Sequence, residues 1–330
     1  PFTLRPLLGI KPQPSTKGRG YMAAGYLDRW KSTRDGVYRE KAERCLEWLI
    51  DNKSPKFEEF SWGNHFPFAG RSGRYESHEP IIVWTALIGQ AFLDAYEEIG
   101  DERYLNIASS SCEWVMALPR ERTASGTCIS YYAFKQLSIH NSNMLGAALL
   151  ARTARHTGRG DYLDLARSAM DYSCTRQLPD GAWFYGEASN QRWIDNFHTG
   201  YNLDSLQCYL DHTGDGTYRD CLRKGLDYYL RTFFREDGCP GYYHNRTYPI
   251  DSQCISQAIE TLVIPGVARN PAAAPTVRAS SVPSRRPRDI RKQRTLRHDE
   301  HRHPSPRHGP SRAGRKCAKY SRGRIARTHW

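Results

Sequence analysis

Acids, amides, an imidazole and aromatic rings are concentrated between residues 187 and 202 of this chain of 330 residues. Carboxylates and imidazoles are the side chains that most often transfer protons in enzymes. His198 and Asn202 are four positions apart, so on a helix they would share one face. The residues that we predict to be catalytic are Glu187, Asp195 and His198, together with Asp251 further along the chain.

Three further polar clusters lie at residues 74–80, 140–143 and 242–253. Each precedes or begins a segment that we predict to be a buried helix, so Glu79 and Asp251 could simply cap a helix N-terminus. A helix needs only one cap residue, and the surplus polar side chains are therefore candidates for ligand contacts. Over all the clusters, the substrate-binding candidates are Glu76, His78, Asn141, Asn143, Trp183, Tyr185, Arg192, Trp193, Tyr201, Asn202, Tyr243 and Gln253.

A repeat in the sequence indicates the elements that position these residues. A tyrosine followed ten positions later by a second aromatic residue occurs four times, at intervals of 56 to 66 residues. Self-similarity at such a period is typical of repeated supersecondary units. The four pairs are Tyr38/Trp48, Tyr104/Trp114, Tyr162/Tyr172 and Tyr218/Tyr228.

Each repeat is predicted to contain two helices. The first carries charges on one side and apolar residues on the other, which indicates an outer, half-solvated helix. The second is apolar nearly all round, which favours an inner helix buried on every face. Gly100, Gly158 and Gly214 suit left-handed caps at the ends of the inner helices. The inner helices that we predict are residues 81–96, 144–154 and 255–262.

Long connections rich in glycine and aromatic residues join each outer helix to the next inner helix. Asp180-Gly181 and Asp237-Gly238 occur in two of them, 57 residues apart, and predict tight turns inside short β-hairpins. Loops of this length are usually functional. We therefore expect the functional site at the N-termini of the inner helices, where these loops converge.

Two layers of helical hairpins with apolar inner helices favour closure into an all-α toroid. Three segments carry a family resemblance: Trp183-Phe184-Tyr185-Gly186, Phe197-His198-Thr199-Gly200-Tyr201-Asn202 and Tyr248-Pro249-Ile250-Asp251. With them the chain resembles the six-hairpin glycosidase-like (α/α)6 superfamily, and within it bacterial exopolysaccharide-biosynthesis proteins related to the uronyl C5-epimerase C-terminal domain. The resemblance covers roughly residues 37–264 and implies a carbohydrate ligand.

The resemblance does not imply one reaction, because this fold hosts hydrolases, lyases, epimerases and proteins without assigned chemistry. In a hydrolase, Glu187 or Asp195 would act with Asp251 as acid and base. In an epimerase or lyase, His198 or a tyrosine would abstract a proton beside a carboxylate that Arg192 or Arg246 neutralises. The alternative is a noncatalytic helical scaffold or sugar-binding component of a polysaccharide-assembly complex. A polysaccharide or oligosaccharide is the expected partner in each case.

The excess positive charge of the chain is confined to its C-terminal part. Of 48 Lys and Arg residues and 35 acids, residues 265–330 hold 18 basic and 3 acidic side chains. We predict that this basic tail is disordered. We also hypothesise that it is a frameshifted translation, because the hairpin pattern stops within an inner helix. Nucleic acid is not an expected partner, because the rest of the chain has no basic stripe.

The predicted organisation has three parts. Residues 1–36 form an irregular N-terminal segment with one short helix, residues 37–264 form the (α/α)6-type toroid, and residues 265–330 form the tail. The toroid is expected to be incomplete at its C-terminus, because the repeats stop short of six hairpins.

Nine cysteines, several of them at apolar helix positions, include no Cys-x-x-Cys spacing. We therefore expect free buried thiols, no metal site, no cofactor and a reducing, cytoplasmic location. The sequence has no run of about 18 apolar residues that would span a membrane, and no signal-peptide pattern. Because the first residue is not Met, export stays open.

Overall fold

The computed structural model of the chain describes residues 4, 5, 7–9, 11–70, 73–246 and 248–263. The predicted tail at 265–330, with the hypothesis on its reading frame, lies outside these residues. The helices are α1 Thr16–Thr33, α2 Gly36–Asp51, α3 Ile82–Ile99, α4 Glu102–Ala117, α5 His140–Thr157, α6 Gly160–Cys174, α7 Asn196–Thr213, α8 Arg219–Phe233 and α9 Ser252–Leu262. Antiparallel hairpins pair β1 Phe68–Gly70 with β2 Gly73–Tyr75 and β3 Arg120–Thr123 with β4 Gly126–Ile129.

The helices form two layers. In the inner layer α1 packs on α3, α3 on α5, α5 on α7 and α7 on α9, while α2, α4, α6 and α8 each pack outside the preceding inner helix. Every residue of α5 from His140 to Ala154 is buried, as expected for an inner helix enclosed on all sides. The all-α class and the outer and inner helices of the repeat are therefore confirmed.

Local signals set the ends of the inner helices. Gly100, Gly158 and Gly214 adopt left-handed backbone conformations at the C-termini of α3, α5 and α7, and the N–H of each glycine donates to a carbonyl four residues earlier. Glycine reaches this conformation without a steric cost, which ends the helix cleanly. The three predicted caps are confirmed.

The repeated tyrosines link successive outer helices. Tyr162 of α6 donates a hydrogen bond to Glu113 of α4 at 2.5 Å, and Tyr218, just before α8, donates to Asp171 of α6 at 2.7 Å. Both rings are buried, so each phenol contributes apolar contact and a satisfied hydroxyl. The spacing of the repeat is thus the spacing of one outer helix from the next.

The N-terminal segment differs from its prediction. α1 is a helix of 18 residues whose Ala23 and Leu27 are buried and which packs on α3 as an inner helix. Its close approach to α3 requires Gly20, because a Cβ atom there would lie 2.8 Å from a side-chain carbon of Ile88. The helix is longer than the short helix that was predicted, because the buried positions Thr16, Gly20, Ala23 and Leu27 follow a helical period that small and polar residues obscure.

The last described helix also differs from its prediction. Residues 255–262 were expected to be buried on every face, but Ile255 is 39% exposed and Ile259 is 65% exposed. The reason is that α9 packs on α7 through one face, formed by Cys254, Gln257, Ala258 and Thr261. Among the described helices none is long and apolar enough to cross a bilayer.

Candidate functional site

Asp195 and His198 form a hydrogen-bonded pair at the N-terminus of α7. Asp195 is the N-cap residue, and its Oδ1 accepts from His198 N at 3.0 Å. Its Oδ2 accepts from His198 Nδ1 at 2.7 Å and from Trp193 Nε1 at 2.8 Å. Because the carboxylate holds the Nδ1 proton, the lone pair of the neutral imidazole lies on Nε2. No described residue hydrogen-bonds to that nitrogen.

Aromatic rings surround the imidazole. The ring centroids of Phe197 and Tyr185 lie 4.0 Å and 4.5 Å from that of His198. Tyr185 in turn stacks on Trp193, with 4.3 Å between the centroids and 16° between the planes. Asp195 and His198, which the sequence assigned to different reactions, and the predicted binding residues Tyr185 and Trp193 are therefore close together.

A second imidazole–carboxylate pair lies at the N-terminus of α5. His140 Nε2 donates to Glu187 Oε1 at 2.7 Å, and His140 Nδ1 lies 3.2 Å from the hydroxyl of Ser173. The hydrogen bond from His140 lowers the pKa of the Glu187 carboxyl, and the positive charges of Arg176 and Arg192 act in the same direction. Glu187 is therefore ionised at neutral pH, and buried His140 holds it in place.

A repeated backbone contact positions the tyrosines at this end of the inner layer. At the start of α3, α5 and α7, the first helical N–H donates a hydrogen bond to a tyrosine carbonyl in the loop of the following repeat. The contacts are Ile82 N to Tyr131 O at 3.0 Å, His140 N to Tyr185 O at 3.1 Å and Asn196 N to Tyr242 O at 2.9 Å. An unsatisfied N–H at each helix start is thereby paired. The same bond fixes the backbone of each tyrosine over the helix N-termini.

The tyrosine side chains of neighbouring loops are close in space. Burial raises the pKa of Tyr131 well above its ordinary value. Smaller contributions in the same direction come from the nearby hydroxyls of Tyr185, Tyr75 and Tyr201. Tyr75 and Tyr132 contact each other with 5.6 Å between centroids, and Tyr75 also contacts Tyr131 at 6.0 Å. Phenol rings therefore cluster beside the β1–β2 hairpin, and the Tyr185 hydroxyl is near enough to act on Tyr131.

Tyr201, in the second turn of α7, joins three helices by hydrogen bonds. Its hydroxyl lies 2.7 Å from that of Tyr21, accepts from Lys17 Nζ at 3.3 Å and accepts from Gln253 Nε2 at 3.4 Å. Tyr21 and Lys17 belong to α1, whereas Gln253 belongs to α9. The predicted residues Tyr201 and Gln253 thus meet two residues of α1 that were not predicted.

Other predicted residues have structural partners. The Asn143 amide is satisfied by Ile129 N, Ala169 O and the hydroxyl of Ser173, and Trp183 Nε1 donates to Ser173 O at 2.9 Å with its ring in the core. Asp251 caps α9 by accepting from Gln253 N at 2.6 Å. The structure places Asn143 and Trp183 in the core and Asp251 at the N-terminus of α9. Among the described contacts, Asp251 has no hydrogen bond to His198.

Two predicted amides have a different environment. Asn141, in the first turn of α5, and Asn202, in the second turn of α7, are buried, and the Oδ1 atom of each has no hydrogen-bond partner among the described residues. Leaving a buried acceptor unpaired costs about 1–3 kcal/mol. These carbonyl oxygens are therefore available to a donor supplied by water or by a ligand.

The remaining predicted residues lie at the margin. Glu76 is exposed and pairs with Arg74 at 3.0 Å, and the His78 ring contacts that of His65 at 4.8 Å. Arg192 is exposed, with its guanidinium 5.7 Å from the centroid of Phe184. Tyr243 lies beside the site, because its backbone bridges to that of Asp195.

Sequence reasoning missed the contributions of Lys17, Tyr21, Tyr131 and Phe197. The helical spacing of small residues in α1 was the available signal for the first two. Tyr131 could have been found from its register with Tyr185, which follows it by 54 residues.

The described residues contain no group of three or more His, Cys, Asp or Glu side chains arranged to hold a metal ion. The cysteines of this part of the chain are free. Burial raises the pKa of Cys112, Cys128, Cys208 and Cys254 to about 12, so their thiols stay protonated at neutral pH.

No protein-family model matches the chain, and no curated protein sequence matches it. Solved structures do resemble it. One is an inactive α-1,6-mannanase of glycoside hydrolase family 76 from Salegentibacter sp., with two consecutive aspartates replaced by asparagine, in complex with α-1,6-mannotriose. Its TM-score is 0.57 at 16% identity, over 76% of this chain and 72% of that chain.

Two structures with other activities are similar to the same degree. A D-mannose isomerase has a TM-score of 0.52 at 13% identity, over 75% of this chain and 70% of its own. The cellobiose 2-epimerase of Spirochaeta thermophila has a TM-score of 0.56 at 10% identity, over 75% of this chain and 69% of its own. Likeness at these identities establishes the fold. The chain therefore has the (α/α)6-type fold of these structures.

Proposed function

We propose that this protein acts on a carbohydrate, a sugar chain or its precursor, and that His198 abstracts a proton from a carbon atom of the sugar. The observation that carries the proposal is the Asp195–His198 pair, in which one carboxylate fixes the imidazole through Nδ1 and no described residue hydrogen-bonds to Nε2. The reaction class is epimerisation, isomerisation or lysis, all of which begin with removal of a proton beside a carbonyl or carboxylate.

Asp195 gives His198 the properties of a general base. The hydrogen bond at Nδ1 fixes the tautomer and the ring orientation, and the negative charge stabilises the imidazolium that forms when Nε2 takes a proton. The electron pair of the broken C–H bond passes to the adjacent carbonyl or carboxylate. Return of a proton to the opposite face of that carbon gives the epimer.

The same contacts argue against Glu187 or Asp195 as the proton donor of a glycosidase. A glycosidase needs one protonated carboxyl to donate to the leaving oxygen, but the hydrogen bond from His140 lowers the pKa of Glu187 and keeps it ionised. Both oxygens of Asp195 are already acceptors. The mannanase is inactive when two consecutive aspartates are replaced, and the present sequence contains no two consecutive aspartates.

The surroundings of His198 suit a sugar. Aromatic rings such as Tyr185 and Trp193 provide flat apolar faces on which a pyranose ring can stack. The unpaired oxygens of Asn141 and Asn202 accept hydrogen bonds, which sugar hydroxyls can donate. The mannanase, the isomerase and the epimerase of the same fold also have sugars in their names or complexes.

The test is exchange of carbon-bound hydrogen with solvent. The protein is incubated in deuterated water with aldoses, oligosaccharides and uronates, and deuterium beside the carbonyl or carboxylate is followed by NMR. We expect incorporation with the wild-type protein and a loss of about 100-fold or more in His198→Gln, the typical contribution of a general base. His156→Gln is the matched control, because His156 lies at the opposite end of α5 and bonds Glu97.

A noncatalytic sugar-binding role is the second candidate. The aromatic rings beside His198 favour this role, because Phe197 and Tyr185 both lie against the His198 ring and narrow the approach to it. Sugar binding without deuterium incorporation from any sugar would support this role and reject the catalytic proposal. Equal exchange rates in the wild type and His198→Gln would reject His198 as the base.

A further inference from the structure

Lys17 brings a positive charge into the site from α1. Its Nζ donates to the Tyr201 hydroxyl at 3.3 Å and lies 5.6 Å from the ring centroids of both Tyr201 and Tyr21. The side chain is half-buried. Lys17 is the second residue of α1, where a cation is unfavourable because the N-terminal end of a helix is itself positive. Helix stability therefore does not account for a lysine at this position.

The two described lysines that form ion pairs have partners of a different kind from those of Lys17. Lys31, at the far end of α1, pairs with Glu98 at 2.7 Å, and Lys56 pairs with buried Glu79 at 2.6 Å. Within the described ranges no carboxylate lies at ion-pairing distance from Lys17. A half-buried ammonium that has only phenol partners lacks a counter-ion, and such a charge is stabilised when an anion arrives.

The imidazole and the ammonium border the same phenol ring. The centroid of the His198 ring lies 6.4 Å from that of Tyr201, which Lys17 contacts. Arg192, which was expected to neutralise a substrate carboxylate, is exposed and lies over Phe184 instead. Lys17 is therefore a further candidate, beside Arg192 and Arg246, to meet a negative charge on a sugar that contacts His198.

We propose that Lys17 binds the anionic group of an acidic sugar, either the carboxylate of a uronate or the phosphate of a sugar phosphate. This inference rests on the proposed function, because it assigns a substrate class to the site of His198. With a uronate, His198 Nε2 takes the proton beside the carboxylate and the C–H electron pair moves into that carboxylate. The ammonium of Lys17 then stabilises the added negative charge of the enediolate.

The experiment measures affinities of acidic sugars and their neutral counterparts by calorimetry. The ligand pairs are D-glucuronate with D-glucose, D-mannuronate with D-mannose, and glucose 6-phosphate with glucose. Lys17→Gln removes the charge and keeps the length, Lys17→Arg keeps the charge, and Lys31→Gln removes a charge from the other end of the same helix. Helical circular dichroism verifies that each variant is folded.

The wild type should prefer the acidic member of at least one pair. Lys17→Gln should reduce that preference at least about tenfold, the effect of losing one charge-assisted hydrogen bond. Lys17→Arg should keep most of the preference for the acidic sugar, and Lys31→Gln should keep all of that preference. If Lys17→Gln loses the preference only for uronates, the group that Lys17 binds is a carboxylate. If it loses the preference only for glucose 6-phosphate, the group is a phosphate.

The inference is overturned if no acidic sugar binds more tightly than its neutral counterpart, or if Lys17→Gln keeps the wild-type preference. These failures are distinct from failure of the proposed function. Binding of acidic sugars that depends on Lys17, without deuterium exchange, would uphold the inference and reject catalysis. Deuterium exchange that depends on His198 but occurs only with neutral sugars would uphold the proposed function and reject the inference on Lys17.

Discussion

Replacing Asp204 by asparagine is expected to stabilise the protein at neutral and alkaline pH. Asp204 lies on α7 beneath α9, where its Oδ2 accepts from Gln257 Nε2. Its Oδ1 is buried and has no hydrogen-bond partner in the described part of the chain. Burial, with a smaller contribution from the negative charge of Glu260, raises the pKa of Asp204 to about 8 from an ordinary value of 3.8.

The magnitude follows from proton linkage. Between the two pKa values the folded protein holds a proton that the unfolded chain has lost, so the free energy of unfolding falls as pH rises. Each unit of pKa difference corresponds to about 1.4 kcal/mol, so about four units give an upper limit of about 6 kcal/mol. The loss begins near pH 4 and is complete above pH 8. Asparagine does not ionise, and the Gln257 amide can rotate to present its oxygen to it.

The assay is urea unfolding of the wild type and Asp204→Asn at several pH values from 4 to 9. The two proteins should have similar stability near pH 4, and the variant should become more stable by about 2–5 kcal/mol by pH 9. Asp220→Asn is the control, because the Asp220 side chain is 84% exposed on α8 and should not change the pH dependence. Parallel pH profiles for the wild type and Asp204→Asn would refute the reasoning.

Two further substitutions test packing that the structure assigns. Gly200→Leu should lower the free energy of unfolding by about 1–3 kcal/mol and loosen α9, because a Cβ atom there would lie 2.5 Å from Gln257 Cγ. Its control is Gly25→Ala in α1, where no atom lies within 4 Å of the added Cβ. The free energy of unfolding of this control should rise by about 0.5–1 kcal/mol. Equal unfolding midpoints for the two variants would contradict the close approach of α7 and α9. Trp183→Phe should lower the free energy of unfolding by about 1 kcal/mol, because the hydrogen bond to Ser173 O is lost. The sugar affinity measured by calorimetry should be unchanged. Weaker sugar binding at wild-type stability would show that Trp183 contacts the sugar.

Much of the fold could be predicted because its signals are local. The glycine caps and the apolar α3 and α5 depend on residues that are close in the sequence, and the tyrosine repeat is itself a sequence pattern; these were confirmed. The predictions for α1 and α9 failed because burial there depends on which neighbours are present. Gly20 and Ala23 are small enough for α1 to approach α3, whereas Ile259 has no described helix against it.

The candidate site was only partly predictable for the same reason. Asp195 and His198 are three residues apart, so a cap and a helical turn bring them together whatever the rest of the chain does. Tyr201 is 184 residues from Lys17 and 52 from Gln253, and both contacts depend on how the inner helices pack. Spacing within one helix carries no information about such distant partners.

The sequence by itself therefore determined the helical repeat, the helix ends and the Asp195–His198 pair, because hydrogen bonds between near neighbours decide each of them. Tertiary structure decided the rest of the site. The N–H groups at the starts of the inner helices need acceptors, and carbonyls from the loops of the following repeats supply them, Tyr185 O for α5 and Tyr242 O for α7. That long-range pairing positions the tyrosines, and packing of α1 on α3 brings Lys17 to Tyr201.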